Sequence, residues 1–186
     1  MIAVNSREDF LIEVSKIINS NYVVEIGVYE GDFSKMILDI LKPKRFFLID
    51  PYKQNEVYYK GCDFTTAYST EGDYDNLVLR FKNEIESLQV IVDKKFSYDA
   101  VPYYPNESID MIYLDGSHLY EDVKRDLNDW LPKLKHNGII AGHDMIDHES
   151  FGVIKAVEEF LKEHNDFGMI LFNTNGNDWA IKKINK

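Results

Sequence analysis

The sequence predicts a doubly wound α/β fold, built on a mostly parallel sheet of seven strands with a reversed C-terminal strand. Short apolar runs alternate with segments of helical periodicity, which is the pattern of parallel strands joined by crossover helices. Glycines follow the first run and an aspartate ends the second, as at the ligand crevice of such sheets. Near the end, Asn175-Gly176 separates two β-like runs and predicts a hairpin that reverses the last strand.

Seven apolar runs are predicted as strands. In chain order they are Tyr22–Ile26, Phe46–Ile49, Val90–Val92, Met111–Leu114, Ile139–Ala141, Met169–Phe172 and Trp179–Ile184. Helices are predicted from apolar residues spaced three and four apart, with faces that begin at Phe10, Phe33, Leu77, Val123 and Val153. Ser6 is predicted to cap the first helix, and Ser97 to Val101 predicts a single turn ended by Pro102.

The length and composition predict one domain. A chain of 186 residues with 45% hydrophobic residues can bury a core of its own. Residues 52–74 interrupt the pattern, since this segment is rich in tyrosine and poor in aliphatic side chains. Loops of this length are usually functional lids or irregular segments. We therefore expect residues 1–186 to form a single domain with a lid or excursion at 52–74.

Charge and cysteine content exclude several classes of function. A net charge of −11 disfavours nucleic acid and anionic membranes as partners, which leaves a small molecule as the expected partner. The single cysteine, Cys62, excludes an internal disulfide and a cysteine-based zinc site. No run is long enough to span a membrane, and the N-terminus lacks the features of a signal peptide. We expect a cytoplasmic protein, of an oligomeric state that the sequence does not predict.

A glycine-containing loop follows the first predicted strand. Val23–Gly31 reads VVEIGVYEG, with Glu25, Gly27 and Gly31 in an ExGxxxG pattern. Glycine allows a backbone to approach a ligand closely, but the GxGxxG of a dinucleotide site is absent and a carboxylate would repel a pyrophosphate. An amine or a sulfonium suits this place better. Asp50, at the end of the second strand, can accept both hydroxyl hydrogens of a ribose.

These residues resemble a known family motif. Glu25-Ile26-Gly27-Val28-Tyr29-Glu30-Gly31 resembles motif I of the class I S-adenosylmethionine-dependent methyltransferases, which have a Rossmann-like fold with a reversed last strand. The resemblance implies that the methionine end of the cofactor meets the glycine loop, that the ribose meets the acid after the second strand, and that adenine meets a serine. The cofactor-binding residues that it implies are Glu25, Gly27, Gly31, Asp50, Ser97 and Asp115.

Chemically active side chains concentrate around the fourth and fifth predicted strands. Asp115 ends the fourth strand, and His143 and Asp144 lie just past the fifth. Because neighbouring strand ends converge on the ligand crevice, these residues and His118 are expected to meet near the transferred group. Asp144, His118 and His143 are therefore the candidate catalytic residues, and Asp115 and Asp144 the candidate metal ligands. The set suits Mg²⁺, and it suits zinc, iron or manganese as well.

This segment is similar to small bacterial methyltransferases of the macrocin-type sugar O-methyltransferase branch. The matching residues are Asp115-Gly116, His118, Tyr120, Asp126, Trp130, Asn137-Gly138 and His143-Asp144. More distantly, catechol and caffeoyl-CoA O-methyltransferases bind Mg²⁺ through two aspartates and an asparagine, and Met145 stands where the asparagine would be. The resemblance implies O-methylation of a small hydroxylated substrate, a sugar or metabolite, with S-adenosylmethionine as cofactor and Mg²⁺ as a candidate second cofactor.

Other readings stay open at this point. The chain could be an NAD-dependent oxidoreductase, although the absent GxGxxG and the terminal hairpin count against it, or a non-catalytic S-adenosylmethionine-binding protein. The acceptor atom could be nitrogen rather than oxygen. Asp115 could simply cap a turn, and His118 and His143 could be structural. Asp126 is expected to face solvent or to pair with a neighbouring basic residue, and Trp130 to lie in the core.

Overall fold

A mixed sheet of eight strands lies at the centre of the computed structural model, which describes residues 1–53, 69–148 and 151–184. The strands are β1 (Ile2–Val4), β2 (Tyr22–Ile26), β3 (Arg45–Ile49), β4 (Val90–Asp93), β5 (Ile109–Leu114), β6 (Leu134–Gly142), β7 (Phe167–Asn173) and β8 (Trp179–Lys183). Their order across the sheet is β1-β7-β8-β6-β5-β2-β3-β4. All neighbours are parallel except β8, which runs antiparallel to both β6 and β7. The predicted fold class, with its reversed last strand, is confirmed.

Seven helices connect these strands in the described part of the chain. They are α1 (Arg7–Ile17), α2 (Asp32–Leu41), α3 (Glu71–Arg80), α4 (Lys82–Glu86), α5 (Ser97–Ala100), α6 (Tyr120–Trp130) and α7 (Val153–Glu163). Ser6 caps α1 as predicted, because its hydroxyl accepts a hydrogen bond from the Asp9 N–H at 3.0 Å. The short α5 continues into a 3₁₀ turn that contains Pro102. Among the described residues, no helix combines the length and the apolar character that crossing a bilayer requires.

Both faces of the sheet are covered, which explains why its strands are apolar on both sides. Along β5, Met111 and Tyr113 pack under α1, α2 and α3, whereas Ile112 and Leu114 pack under α5, α6 and α7. Trp130 on α6 is fully buried in the apolar cluster formed with Ile112 and Leu114, as predicted. The strand ends are therefore held rigidly from both sides.

The structure adds the strand β1 to the seven that the sequence predicts. It is only three residues long, and its burial pattern has a single buried side chain, Val4. Such a run carries too little periodicity to be recognised in a sequence. β1 pairs in parallel with β7, with Ile2 opposite Leu171. This pairing brings the start of α1 close to the C-terminal hairpin.

The C-terminal hairpin is present, but its turn is wider than a two-residue Asn-Gly turn. The turn spans residues 174–178, and the residue with positive φ is Asn177 rather than Gly176. Asn173 and Asp178 are fully buried, and the Asn173 Nδ2 donates to Asp178 Oδ2 at 2.8 Å. This buried side-chain pair fixes the turn, which the dipeptide alone did not predict.

The predicted lid at 52–74 falls largely on residues 54–68, which lie outside the described residues. At its start, Tyr52 is buried. At its end, α3 begins at Glu71, with a capping box between Thr70 and Asp73. The last residues of the predicted excursion therefore belong to a helix, and the lid itself stays a prediction.

Candidate active site

The glycine loop after β2 packs directly against the chain that follows β5. Gly27 has a φ of 84°, and a Cβ there would lie 2.5 Å from the Cα of Gly116 and closer still to the Asp115 carbonyl. Gly31 has a φ of 77°, and a Cβ there would lie 2.8 Å from the Phe81 ring. Both positions require glycine for conformation and for space. The loop and the end of β5 thus form one continuous wall.

Asp50 organises this loop. It follows β3 and is 5% exposed, and its carboxylate accepts hydrogen bonds from the backbone N–H groups of Val28 at 2.8 Å, Tyr29 at 3.1 Å and Tyr52 at 2.9 Å. The Ser69 hydroxyl donates to it as well. The predicted contact with a ribose stays a prediction, and a ribose would have to share or replace one of these donors.

Glu25 lies beneath the loop, inside β2. It is 1% exposed and accepts a hydrogen bond from the Ser34 hydroxyl at 2.6 Å. Burial raises the pKa of Glu25 to about 8, against the opposing effect of the Ser34 hydrogen bond. At neutral pH the carboxyl is therefore largely protonated. Its contact with a cofactor amine stays a prediction, and the structure gives it a bracing role between β2 and α2.

Ser97 is predicted to contact adenine, but its hydroxyl has partners on α6. The indole Nε1 of Trp130 donates to Ser97 Oγ at 2.7 Å, and Ser97 acts to lower the pKa of the neighbouring Asp126. Asp126 is 8% exposed, so the expectation that it faces solvent is wrong. The turn of α6 that carries it packs against α5, and burial raises the pKa of Asp126 to about 6. The adenine contact of Ser97 stays a prediction.

Two acids and two imidazoles meet at the carboxyl ends of β5 and β6. The Nδ1 of His143 lies 3.0 Å from Asp144 Oδ2 and 3.7 Å from Asp115 Oδ1. The Nδ1 of His118 lies 3.3 Å from the same Asp144 oxygen. Leu114 pairs with Gly142, so the residues that follow the two strands emerge side by side. The structure therefore brings together all four residues that the sequence predicted at this edge.

The charges in this group are complementary. Burial works against ionisation of Asp144, but the hydrogen bond from His143 and the proximity of His118 outweigh it and lower the pKa of Asp144. Burial also works against protonation of His143, and there Asp144 and Asp115 prevail and raise its pKa. Burial raises the pKa of Asp115. Asp144 is thus the residue most firmly held as a carboxylate.

Three of these residues could hold a metal ion. Ligand atoms of Asp115, His143 and Asp144 all lie within 4.8 Å of one another. Two carboxylates and an imidazole fit a divalent cation such as Mg²⁺ or Mn²⁺. Met145 packs against the apolar cluster beneath α6 and α7 and adds no oxygen ligand. The two predicted metal ligands, Asp115 and Asp144, both belong to the group.

The sequence did not predict a second set of residues at this site. Arg7 lies at the start of α1. Its Nη2 is 3.2 Å from Asp115 Oδ2, and its Nε is 3.0 Å from Asp178 Oδ1. It also donates to the Tyr113 hydroxyl at 2.7 Å. These partners lie more than a hundred residues away along the chain, and no motif connects them. The pairing of β1 with β7 and the packing of α1 on the sheet bring them together.

The site matches a known family in sequence. A family model described as a methyltransferase domain matches residues 24–145. An uncharacterized protein of Acanthamoeba polyphaga mimivirus is 28% identical over 149 residues, which is 75% of this chain and 59% of that protein. The chain spans 59% or less of the length of the two curated relatives that it matches.

Solved structures share the fold. A protein of Corynebacterium glutamicum superposes with a TM-score of 0.71 at 12% identity, covering 98% of this chain and 83% of that chain. TomG, an O-methyltransferase of Streptomyces achromogenes involved in tomaymycin synthesis and solved with S-adenosylmethionine, gives a TM-score of 0.67 at 14% identity. That match covers 97% of this chain and 80% of TomG. At these identities the likeness establishes the fold alone.

Proposed function

The chain belongs to the methyltransferase domain family, and from that membership we propose that it is an S-adenosylmethionine-dependent enzyme that methylates a hydroxyl group of a small molecule. The observation that carries the proposal is the meeting of Asp115, His118, His143 and Asp144 beside the glycine loop. Such a group can take a proton from a hydroxyl where a methyl group arrives. TomG, which has this fold, is an O-methyltransferase, and this supports oxygen as the acceptor atom.

The proposed reaction requires the enzyme mainly to orient the two reactants and to deprotonate the acceptor hydroxyl. S-Adenosylmethionine carries an activated methyl group, which an oxygen nucleophile attacks in line with the departing sulfur. The glycine loop would hold the cofactor at the end of β2, and Asp50 shapes that loop by accepting hydrogen bonds from the backbone N–H groups of Val28 and Tyr29. Holding both reactants in line provides much of the rate acceleration.

We assign the proton transfer to His118. Its Nδ1 faces Asp144, so Nε2 remains to accept a proton from the acceptor hydroxyl. Asp144 would stabilise the imidazolium that forms, as the carboxylate partner of a histidine base does. Its lowered pKa suits this role, since it stays ionised throughout the physiological range.

Asp115, His143 and Asp144 would hold a divalent cation if one takes part. Such an ion would lower the pKa of the acceptor hydroxyl and orient it toward the methyl donor. A sugar or another polyhydroxylated metabolite fits this assignment, because neighbouring hydroxyls can share a cation. The net charge of −11 supports a small acceptor rather than a nucleic acid.

The test is methyl transfer from labelled S-adenosylmethionine to sugars, phenols and small-metabolite extracts, with and without chelator. Asp144→Ala is expected to lower turnover by about 10²- to 10⁴-fold and to leave S-adenosylhomocysteine binding nearly unchanged, because the residue serves the acceptor side. Asp147→Ala is the matched control, since Asp147 is exposed and lies three residues along the chain.

The outcomes separate the alternatives. Full activity in Asp144→Ala would refute the acceptor-site assignment. Activity abolished by chelator and restored by Mg²⁺ or Mn²⁺ would support the metal role, whereas activity indifferent to chelator would leave His118 as the base without a cation. Tight cofactor binding with no transfer to any hydroxyl compound would favour a non-catalytic scaffold. A thermal shift with NADH but none with S-adenosylhomocysteine would refute the proposed function.

A further inference from the structure

Arg7 occupies a corner of the site that the proposed reaction does not use. Its guanidinium packs over the Phe33 ring, with the Cζ 3.7 Å from the ring centroid. Phe33 lies in the first turn of α2, two residues after Gly31, so Arg7 borders the end of the glycine loop. On the other side Arg7 contacts Asp115. The guanidinium therefore lies between the glycine loop and the end of β5.

The hydrogen bonds of Arg7 use only part of its donors. Nε donates to Asp178, and Nη2 donates to both Tyr113 and Asp115. Among the described residues, Nη1 donates to none. The side chain is 30% exposed, whereas Asp178 is fully buried. A guanidinium anchored on one edge and open on the other is suited to bind a second, incoming anion.

We propose that Arg7 binds the carboxylate of the amino-acid end of S-adenosylmethionine, with Asp115 receiving the neighbouring ammonium. The inference rests on the proposed function. An α-amino acid presents one cation and one anion on adjacent atoms, and the Arg7–Asp115 pair presents the complementary charges 3.2 Å apart. Both residues border the glycine loop, where the cofactor would lie.

The charges around this corner explain why a cation is needed there. Asp115, Asp144 and Asp178 place three acids near the carboxylate that would enter. Without a cation they would repel that carboxylate while they attract the ammonium. Apart from the two histidines, Arg7 is the cation that contacts these acids in the described part of the chain. Arg7 therefore allows an acidic site to accept a zwitterion.

The experiment measures binding of three ligands by calorimetry. S-Adenosylhomocysteine carries the whole amino-acid end, its decarboxylated analogue S-adenosyl-3-thiopropylamine lacks only the carboxylate, and 5′-methylthioadenosine lacks the entire end. For the wild type we expect loss of the carboxylate to weaken binding by about 30-fold, the contribution of charge-assisted hydrogen bonds. Equal affinity for the first two ligands would overturn the proposal without any mutation.

Binding of the same three ligands to Arg7→Gln shows whether Arg7 is the residue that binds the carboxylate. We expect the substitution to weaken S-adenosylhomocysteine binding by about 30-fold and to change binding of the decarboxylated analogue by less than about threefold. Lys16→Gln, which removes an exposed cation from the same helix, is the matched control and should change neither. Equal weakening of all three ligands by Arg7→Gln would show a structural role and overturn the proposal. No binding of any of the three ligands to the wild type would refute the proposed function and this inference with it.

Discussion

Gly27→Ala tests whether the glycine loop and the end of β5 are built as one wall. The substitution places a side chain on a residue whose φ is 84°, which costs an alanine about 1 to 2 kcal/mol. It also places the Cβ 2.5 Å from the Gly116 Cα, against backbone that cannot rotate away as a side chain can. Displacing that backbone adds about 1 to 3 kcal/mol, the usual range for overpacking.

The total expected loss in the free energy of unfolding is therefore about 2 to 5 kcal/mol. The stiffer unfolded chain of the variant offsets less than about 1 kcal/mol of this. Because the clash also moves Asp115, S-adenosylhomocysteine binding should weaken by at least about tenfold. Chemical denaturation measures the first quantity, and calorimetry measures the second.

Gly116→Ala is the matched control, since it adds the same methyl group to the other side of the same contact. A Cβ on Gly116 would lie 3.7 Å from the Ile26 carbonyl oxygen, at an ordinary van der Waals distance. Positive φ among the described glycines is confined to Gly27 and Gly31. We expect a stability change within about 0.5 kcal/mol for this variant. If Gly27→Ala matched the control in both stability and affinity, the close-packed wall would be refuted.

Three further predictions concern Asp50, Glu25 and Ser97, which are candidate cofactor-binding residues. Asp50→Ala should weaken S-adenosylmethionine binding by about 2 to 4 kcal/mol, by calorimetry, and an unchanged affinity in the folded variant would exclude the ribose assignment. The pKa of Glu25 is raised from 4.5 to about 8, so between these pH values the folded state binds a proton that the unfolded state has lost. The wild type should therefore lose stability relative to Glu25→Gln as the pH rises from 4.5 to about 8. The loss should be about 1.4 kcal/mol per pH unit in denaturation curves, and parallel pH profiles of the two proteins would contradict it. Ser97→Ala should cost about 1 kcal/mol of stability, because the Ser97 hydroxyl accepts a hydrogen bond from Trp130. The predicted adenine contact requires that the variant also lose S-adenosylhomocysteine affinity, and an unchanged affinity by calorimetry would exclude that contact.

Much of the fold could be predicted because the sheet is covered on both faces. Its strands are then continuous apolar runs, and the helices between them carry an apolar stripe that the sequence displays. β1 escaped prediction because it has three residues and gains its place only by pairing with β7. The shape of the turn before β8 was not predicted, because buried contacts between Asn173 and Asp178, rather than the Asn-Gly dipeptide, determine it.

The candidate site likewise has residues that the sequence predicts and residues that only the packing brings in. Asp115, His143 and Asp144 could be predicted to converge, since each lies within two residues of a strand end and parallel neighbours end at one edge. Arg7 could not be predicted to join this group, because the sequence at the start of a helix does not indicate which strand end the helix will pack against. Asp126 was misjudged for a related reason. Its position among charged residues indicates solvent, but the packing of α6 on α5 decides its burial.

Asp115 joins the two halves of the site. Its carbonyl lies against Gly27, so its backbone helps to fix the loop that would hold the cofactor. Its side chain divides between the halves, because Oδ2 pairs with Arg7 on the cofactor side and Oδ1 faces His143 on the acceptor side. A charge that arrives on either side changes the electrostatic field at the other, because both sides contact the one partly buried carboxyl of Asp115. Filling the cofactor side with an ammonium would favour the ionised form of Asp115, whose pKa burial otherwise raises. An ionised Asp115 is also the form that would bind a cation together with Asp144, so one carboxyl would serve both halves of the site.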